Sequence, residues 1–127
     1  MPTEAKTGGV VETRNYYHFA AWYGREDILK LIYNNGDKGR VPGINAKDRN
    51  GSAPIHLAVA SNAGNAVHVI ETMIELKRIN DLKDERSKME DIDLMATDGS
   101  GHTALALAIA LSVDEVRIIL ENAGLGL

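Results

Sequence analysis

An all-α solenoid of stacked helix pairs is predicted for this chain by three observations. A short phrase of small and apolar residues recurs as Tyr17-His18-Phe19-Ala20-Ala21, Ile55-His56-Leu57-Ala58-Val59 and Leu105-Ala106-Leu107-Ala108-Ile109. Each copy is followed at helical spacing by an apolar triplet: Ile28, Leu31 and Ile32, then Ile70, Met73 and Ile74, then Val116, Ile119 and Leu120. Two copies are preceded by an Asp-x-x-Gly segment, Asp48-Arg49-Asn50-Gly51 and Asp98-Gly99-Ser100-Gly101. Self-similarity of this kind marks units that bury a shared core only by stacking on their neighbours.

Each element has a physical reason. Asn50-Gly51 supplies the positive backbone angles of a two-residue hairpin turn, so the Asp-x-x-Gly segments are predicted to project as short fingers. In the first helix of each unit, Ala20, Ala21, Ala58 and Ala108 are small enough for neighbouring helices to approach closely. In the second helix, apolar residues at i, i+3 and i+4 form one stripe facing the stack. Lys30, Glu71, Glu75, Asp114, Glu115 and Glu121 are placed on the wet side.

At this point the chain resembles the ankyrin repeat family. The family phrase Thr-Pro-Leu-His-x-Ala maps onto Ala53-Pro54-Ile55-His56-Leu57-Ala58 and, more loosely, onto Thr103-Ala104-Leu105-Ala106-Leu107-Ala108. The resemblance runs from Asn15 to Gly124 and implies an ankyrin-repeat solenoid with hairpin fingers. Its repeats fall at about 15–47, 48–97 and 98–127, after a flexible N-terminal segment over 1–14. A looser echo, Ile55-His56-Leu57-Ala58-Val59-Ala60-Ser61-Asn62 with its interrupted spacing, is similar to inhibitors of Rel-type transcription factors.

Neither interval is of ordinary length. His18 to His56 and His56 to Ala106 both exceed the family period of about 33 residues, which predicts two lengthened inter-repeat segments. The first is the glycine-rich stretch Gly36 to Gly43. The second is split between Ser61 to Gly64 and Leu76 to Asp93. In the latter, Ile79, Leu82, Arg86 and Met89 recur at spacings of three and four. It either prolongs the helix, forms a helical flap or is a disordered charged loop, and it is expected to lie outside the stack and to be dispensable for folding.

With 127 residues, 44% hydrophobic and 25% charged, the chain suits one domain with an elongated core. The absence of cysteine excludes disulfides, thiolate catalysis and cysteine-ligated metals. No apolar run spans a membrane and the N-terminus has no signal-peptide core, so an intracellular protein, cytoplasmic or nuclear, is expected. A net charge of −4 argues against nucleic acid as partner. Charge is uneven: Lys38, Arg40, Lys47 and Arg49 surround the first finger, whereas Glu90, Asp91, Asp93 and Asp98 precede the second. That asymmetry either orients a partner or is ordinary surface scatter.

No motif for a nucleophile, phosphate loop or metal appears, so no catalytic residue, cofactor or metal is expected. The resemblance implies that His18 and His56 tie down turns, a role that Ala106 cannot share; His68 and His102 read as solvated. It also implies a concave binding face. The two residues after the paired small residues are Trp22 and Tyr23, then Ala60 and Ser61, then Ala110 and Leu111. Finger candidates are Lys47, Arg49, Asn50 and Ser52 on the first hairpin, and Thr97, Gly99, Ser100 and His102 on the second.

The function expected is therefore a module that binds another protein, a small adaptor or inhibitor that occupies a partner's surface. The alternative is a structural end of a longer array or homo-oligomer, with an enzyme a distant third. The run Ala104 to Leu111 is apolar throughout and breaks the rule that an end repeat presents a polar outer face. It predicts self-association or partner docking there, unless Leu125 and Leu127 fold back to close the end.

Overall fold

The computed structural model describes residues 14–35, 43–61 and 66–125. Six α-helices form three pairs: α1 (Tyr16–Trp22) with α2 (Glu26–Asn35), α3 (Pro54–Ala60) with α4 (Ala66–Asp81), and α5 (Ala104–Ala110) with α6 (Asp114–Leu120). The first helices α1, α3 and α5, each of seven residues, pack in one row and the second helices in another. Between the rows lies the core, built on Leu29, Ile44, Ile55, Ile70, Met73, Ile92 and Leu120. Ala20, Ala21, Ala58 and Ala108 are buried where the short helices meet, as close stacking requires. The six expected wet-side residues are exposed.

The first and third pairs share one backbone pattern. Gly24, Arg25 and Leu29 donate to the carbonyls of Ala21, Ala20 and Arg25, and Ser112, Val113 and Arg117 donate to those of Ile109, Ala108 and Val113. Gly24 and Ser112 both take positive φ, 70° and 60°. The two pairs therefore correspond residue by residue from Tyr16/Ala104 onward, and burial can be compared position for position.

That comparison corrects the stripe expected in α2. Leu29 and Tyr33 are buried and Ile32 half-buried, whereas Ile28 and Leu31 are exposed. The stripe runs one residue later, because α2 turns its Leu29 edge to α4. Its Ile28 edge is open, while the corresponding Val116 is covered.

The fingers are three-residue turns, not two-residue ones. Gly51 N–H donates to the Asp48 carbonyl and Asp48 N–H to the Ser52 carbonyl, both at 2.9 Å. Only Gly51, at φ 85°, is left-handed, so Asn50 needs no special angle. Gly101 at φ 86° and the Asp98 and His102 bonds repeat the arrangement.

The segment Leu76 to Asp93 is also corrected: it is not outside the stack. Its first part continues α4 to Asp81, and Leu76, Asn80 and Ile92 are buried. Asn80 holds the return of the chain by donating to the Met89 carbonyl at 3.2 Å and accepting from Met89 N–H at 2.7 Å. Tyr33 O–H donates to the Glu90 carbonyl at 2.6 Å, and Asn45 accepts from Asp93 N–H at 2.7 Å. The expected mobility of 1–13, the loop 36–42 and the extra residues at 62–65 lie outside the described residues. Arg14, assigned to the flexible segment, is held 3.1 Å from Asp48.

Candidate functional site

Two buried imidazoles join each unit to the next. His18 Nδ1 accepts from Asn15 N–H at 3.1 Å and His56 Nδ1 from Ala53 N–H at 3.1 Å. With Nδ1 an acceptor, the proton sits on Nε2, which must donate. From His18 it reaches the Ser52 carbonyl at 2.9 Å, and from His56 the carbonyls of Ala96 and His102, each at 3.0 Å. Each imidazole thus caps its own helix and grips the following hairpin. Ala106 occupies the third such position, and among the described residues no hairpin follows it.

Burial pushes the His18 pKa down, against the bond to Ser52 and the charge of Asp48, so the ring stays neutral. At Asp48 burial alone would raise the pKa; the Ser52 N–H, the Arg14 side chain and the Asn50 N–H outweigh it and hold the carboxyl below its ordinary value. Asp98 behaves likewise: bonds from His102 N–H and Ser100 N–H override its desolvation. Both turn aspartates are thus consumed in shaping their hairpins.

The fingers lie against each other through backbone. A Cβ on Gly99 would stand 2.3 Å from the Asn50 carbonyl oxygen. Lys47, Arg49 and Asn50 are exposed around the first tip, and Thr97, Gly99 and Ser100 around the second; Ser52 and His102 are half-buried, their carbonyls being the histidine acceptors. His68 is exposed, 3.7 Å from Glu71. Among the described residues no group of three or more His, Asp or Glu side chains is placed to hold a metal.

At the C-terminal ends of the short helices, Trp22 is 38% and Tyr23 65% exposed. Ala60, Ala110 and Leu111 are exposed and Ser61 is half-buried, its Oγ donating to the Trp22 carbonyl. The six positions thus form one row across three units. Tyr23 faces two ways, since it also lines a shallow groove of about 300 Å³ with Tyr16, Phe19, Ala20, Arg25, Ile28 and Ile32. Sequence reasoning missed this groove, although Tyr16, Phe19 and Tyr23 share a face by the i, i+3, i+7 rule.

A family model described as ankyrin repeats, in three copies, matches residues 17–126. That match covers most of the chain and coincides with the three helix pairs, the paired fingers and the bridging histidines. The chain belongs to the ankyrin-repeat family. Ankyrin repeats are generally protein–protein interaction modules and are typically non-catalytic. The match is to ankyrin repeats at large and lends no support to the echo of Rel-type inhibitors. No curated protein matches the chain. No helix among the described residues is long and apolar enough to cross a membrane.

The apolar outer face expected at the far end of this ankyrin stack is found on only one of the last repeat's two helices. Arg117 and Glu121 stand where α2 has the buried Leu29 and Tyr33, and they pair at 2.9 Å. The second helix of the last repeat is therefore polar on its open side. Its first helix is not: Ile109 is 55% exposed, where Val59 of the middle repeat is 2% exposed. Leu125 is partly buried against the core, and Leu127 lies outside the described residues.

Proposed function

We propose that this ankyrin-repeat chain is a small intracellular adaptor or inhibitor that works by occupying the surface of another protein. The observation that carries the reading is the row of Trp22, Tyr23, Ala60, Ser61, Ala110 and Leu111. It holds the single tryptophan of the chain half-exposed on a rigid helix end. Aromatic groups in such a setting anchor interfaces. The fingers supply Lys47 and Arg49 beside Ser100 and His102, polar groups for orientation at the rim of the same face. Neither nucleic acid nor membrane is part of this reading.

The C-terminal repeat contributes Leu111 to that row, and Ile109 and Ile118 leave further apolar surface exposed beside it. Docking of a partner there fits better than stacking of a second copy, because stacking would bury the Arg117–Glu121 pair.

The test is comparative affinity capture from the source cell with wild type, Trp22→Ala, Leu111→Glu and the distant control Glu85→Ala. A specific partner kept by wild type and Glu85→Ala but lost by the other two supports the reading. Trp22→Ala is expected to weaken that partner by about 2 kcal/mol with the melting temperature little changed. Undiminished capture by both row variants would overturn the assignment of the face.

A further inference from the structure

We infer that the Asn50-Gly51 pair at the tip of the first hairpin is a site of spontaneous deamidation, held back by the folded turn and released when the hairpin opens. The inference goes beyond the protein-binding reading and does not rest on it.

The stack forces a glycine at position 51. It sits at φ 85°, and a Cβ there would stand 2.7 Å from both the Cα and the N of Gly99. Nothing comparable forces an asparagine at position 50. The second hairpin has Ser100 there and makes the same bonds: Asn50 and Ser52 N–H donate to Asp48 Oδ1 at 2.9 and 3.0 Å, and Ser100 and His102 N–H donate to Asp98 Oδ1, both at 2.9 Å. The chain thus sets an exposed, thermolabile asparagine directly before a glycine whose nitrogen no side chain shields.

The chemistry needs only water. The Gly51 nitrogen gives its proton to solvent and attacks Asn50 Cγ; the N–Cγ bond forms, the Cγ–Nδ2 bond breaks, and ammonia leaves with a proton taken from water. Water then opens the resulting succinimide, at the side-chain carbonyl to give aspartate or at the main-chain carbonyl to give isoaspartate, and nothing is oxidised or reduced. In the folded turn the nucleophile is withheld. Gly51 N–H is bound to the Asp48 carbonyl at 2.9 Å, and the Asp48 carboxylate, which accepts from the N–H groups on either side, opposes a negative charge on the nitrogen between them. Attack therefore waits for local opening. The isoaspartyl product cannot close the hairpin again. Its main chain is longer by the β-carbon within a turn tied by the 2.9 Å bond from Asp48 N–H to the Ser52 carbonyl, and the carbonyl on which Gly99 rests has become a carboxylate. The Ser52 carbonyl is then no longer presented to His18 Nε2, so the first two repeats come uncoupled.

Ageing the full chain at mildly alkaline pH, in buffer and in urea beyond the unfolding midpoint, tests this. Peptide mapping by mass spectrometry follows conversion at Asn50 separately from the other Asn-Gly pair of the sequence, Asn35-Gly36. Conversion at Asn50 is expected to be at least about tenfold slower in the folded chain. Asp48→Ala, which strips the acceptor of both flanking N–H groups, is expected to speed it in buffer. If that variant fails to fold by circular dichroism, wild type in urea below its midpoint carries the test, with a rate expected to rise with urea. Asn50→Ser, built like the second hairpin, is expected to melt like wild type and to gain no mass at position 50. The separated isoaspartyl form is expected to melt below wild type, whereas Asn50→Asp, which adds the charge without the longer main chain, is expected to melt like it. Equal rates in the folded and unfolded chain overturn the inference, as does a folded Asp48→Ala, or a urea series, with no acceleration. So do an isoaspartyl form that melts like wild type and an Asn50→Ser or Asn50→Asp variant that melts below it. No readout involves a partner, so capture through Trp22 and Leu111 is judged separately.

Discussion

Gly99 rests its backbone on the Asn50 carbonyl, and a methyl group at Gly99 would stand 2.3 Å from that oxygen. Because the obstacle is backbone, it cannot swing aside. Gly99→Ala is expected to cost about 1–3 kcal/mol by overpacking. Gly101→Ala meets nothing within 4 Å but sits at φ 86°, so it is expected to cost about 1–2 kcal/mol by strain alone. Denaturant unfolding gives the magnitudes. Amide shifts separate the causes, since only Gly99→Ala is expected to move the resonances of residues 49–51.

His56→Ala removes the acceptor for Ala53 N–H and the donor shared by Ala96 and His102. A loss of about 2–4 kcal/mol is expected, the cost of several buried groups left unpaired. Ala106→His, with no following hairpin among the described residues, is expected to gain nothing. Thermal unfolding of both variants checks the pair, and equal effects would mean that the forward bond contributes little.

Acid is expected to destabilise the fold in two stages. The His18 pKa is lowered, so the unfolded chain takes up its proton first. Stability is then complete above about pH 6.5 and falls below it. Asp48 and Asp98 are also held low, so their contribution is present above about pH 4 and is lost as pH drops further. A pH series of urea midpoints reads both stages. His18→Gln, which keeps an amide of similar reach, is expected to flatten the first stage and leave the second.

Ser112 adopts φ 60° where the first repeat uses Gly24 at φ 70°. Ser112→Gly removes the strain of a left-handed side chain at a helix end and is expected to stabilise by roughly 0.5–1 kcal/mol. A lowered melting temperature would show that the serine side chain contributes more than its backbone costs.

The insertion separates into a replaceable tip and a fixed base. Exchanging residues 82–87 for a short turn is expected to preserve the fold, since all of these except the half-buried Lys83 are exposed. Asn80→Ala, which strips both bonds to Met89, is expected to cost about 2 kcal/mol. Circular dichroism and thermal melts distinguish the two outcomes.

The helix pairs, the paired fingers and the small-residue seam were legible because each obeys a local rule of spacing or turn chemistry. The histidines were legible only through family resemblance, since nothing in the order of residues reveals that Nε2 reaches a carbonyl 34 or more positions away. The stripe of α2 was misplaced because Ile28, Leu29, Leu31 and Ile32 are all aliphatic, so periodicity cannot choose between neighbouring registers. The role of Asn80 was illegible for a similar reason: an asparagine in a charged stretch looks solvated until its two backbone partners are in place. The flank groove was visible as an i, i+3, i+7 set, but its openness follows from what stacks beside it, which no local pattern encodes.

The forward reach of each imidazole gives the stack a polarity. If the second hairpin opens, His56 is left buried without its acceptors, and the middle repeat is weakened from within. Should the first repeat open instead, the Ser52 carbonyl it releases can turn to water at little cost. Damage therefore travels toward the N-terminus more readily than away from it, and a load applied at the last hairpin is felt by the repeats before it. The molecule behaves as a chain of dependents, each held by its successor.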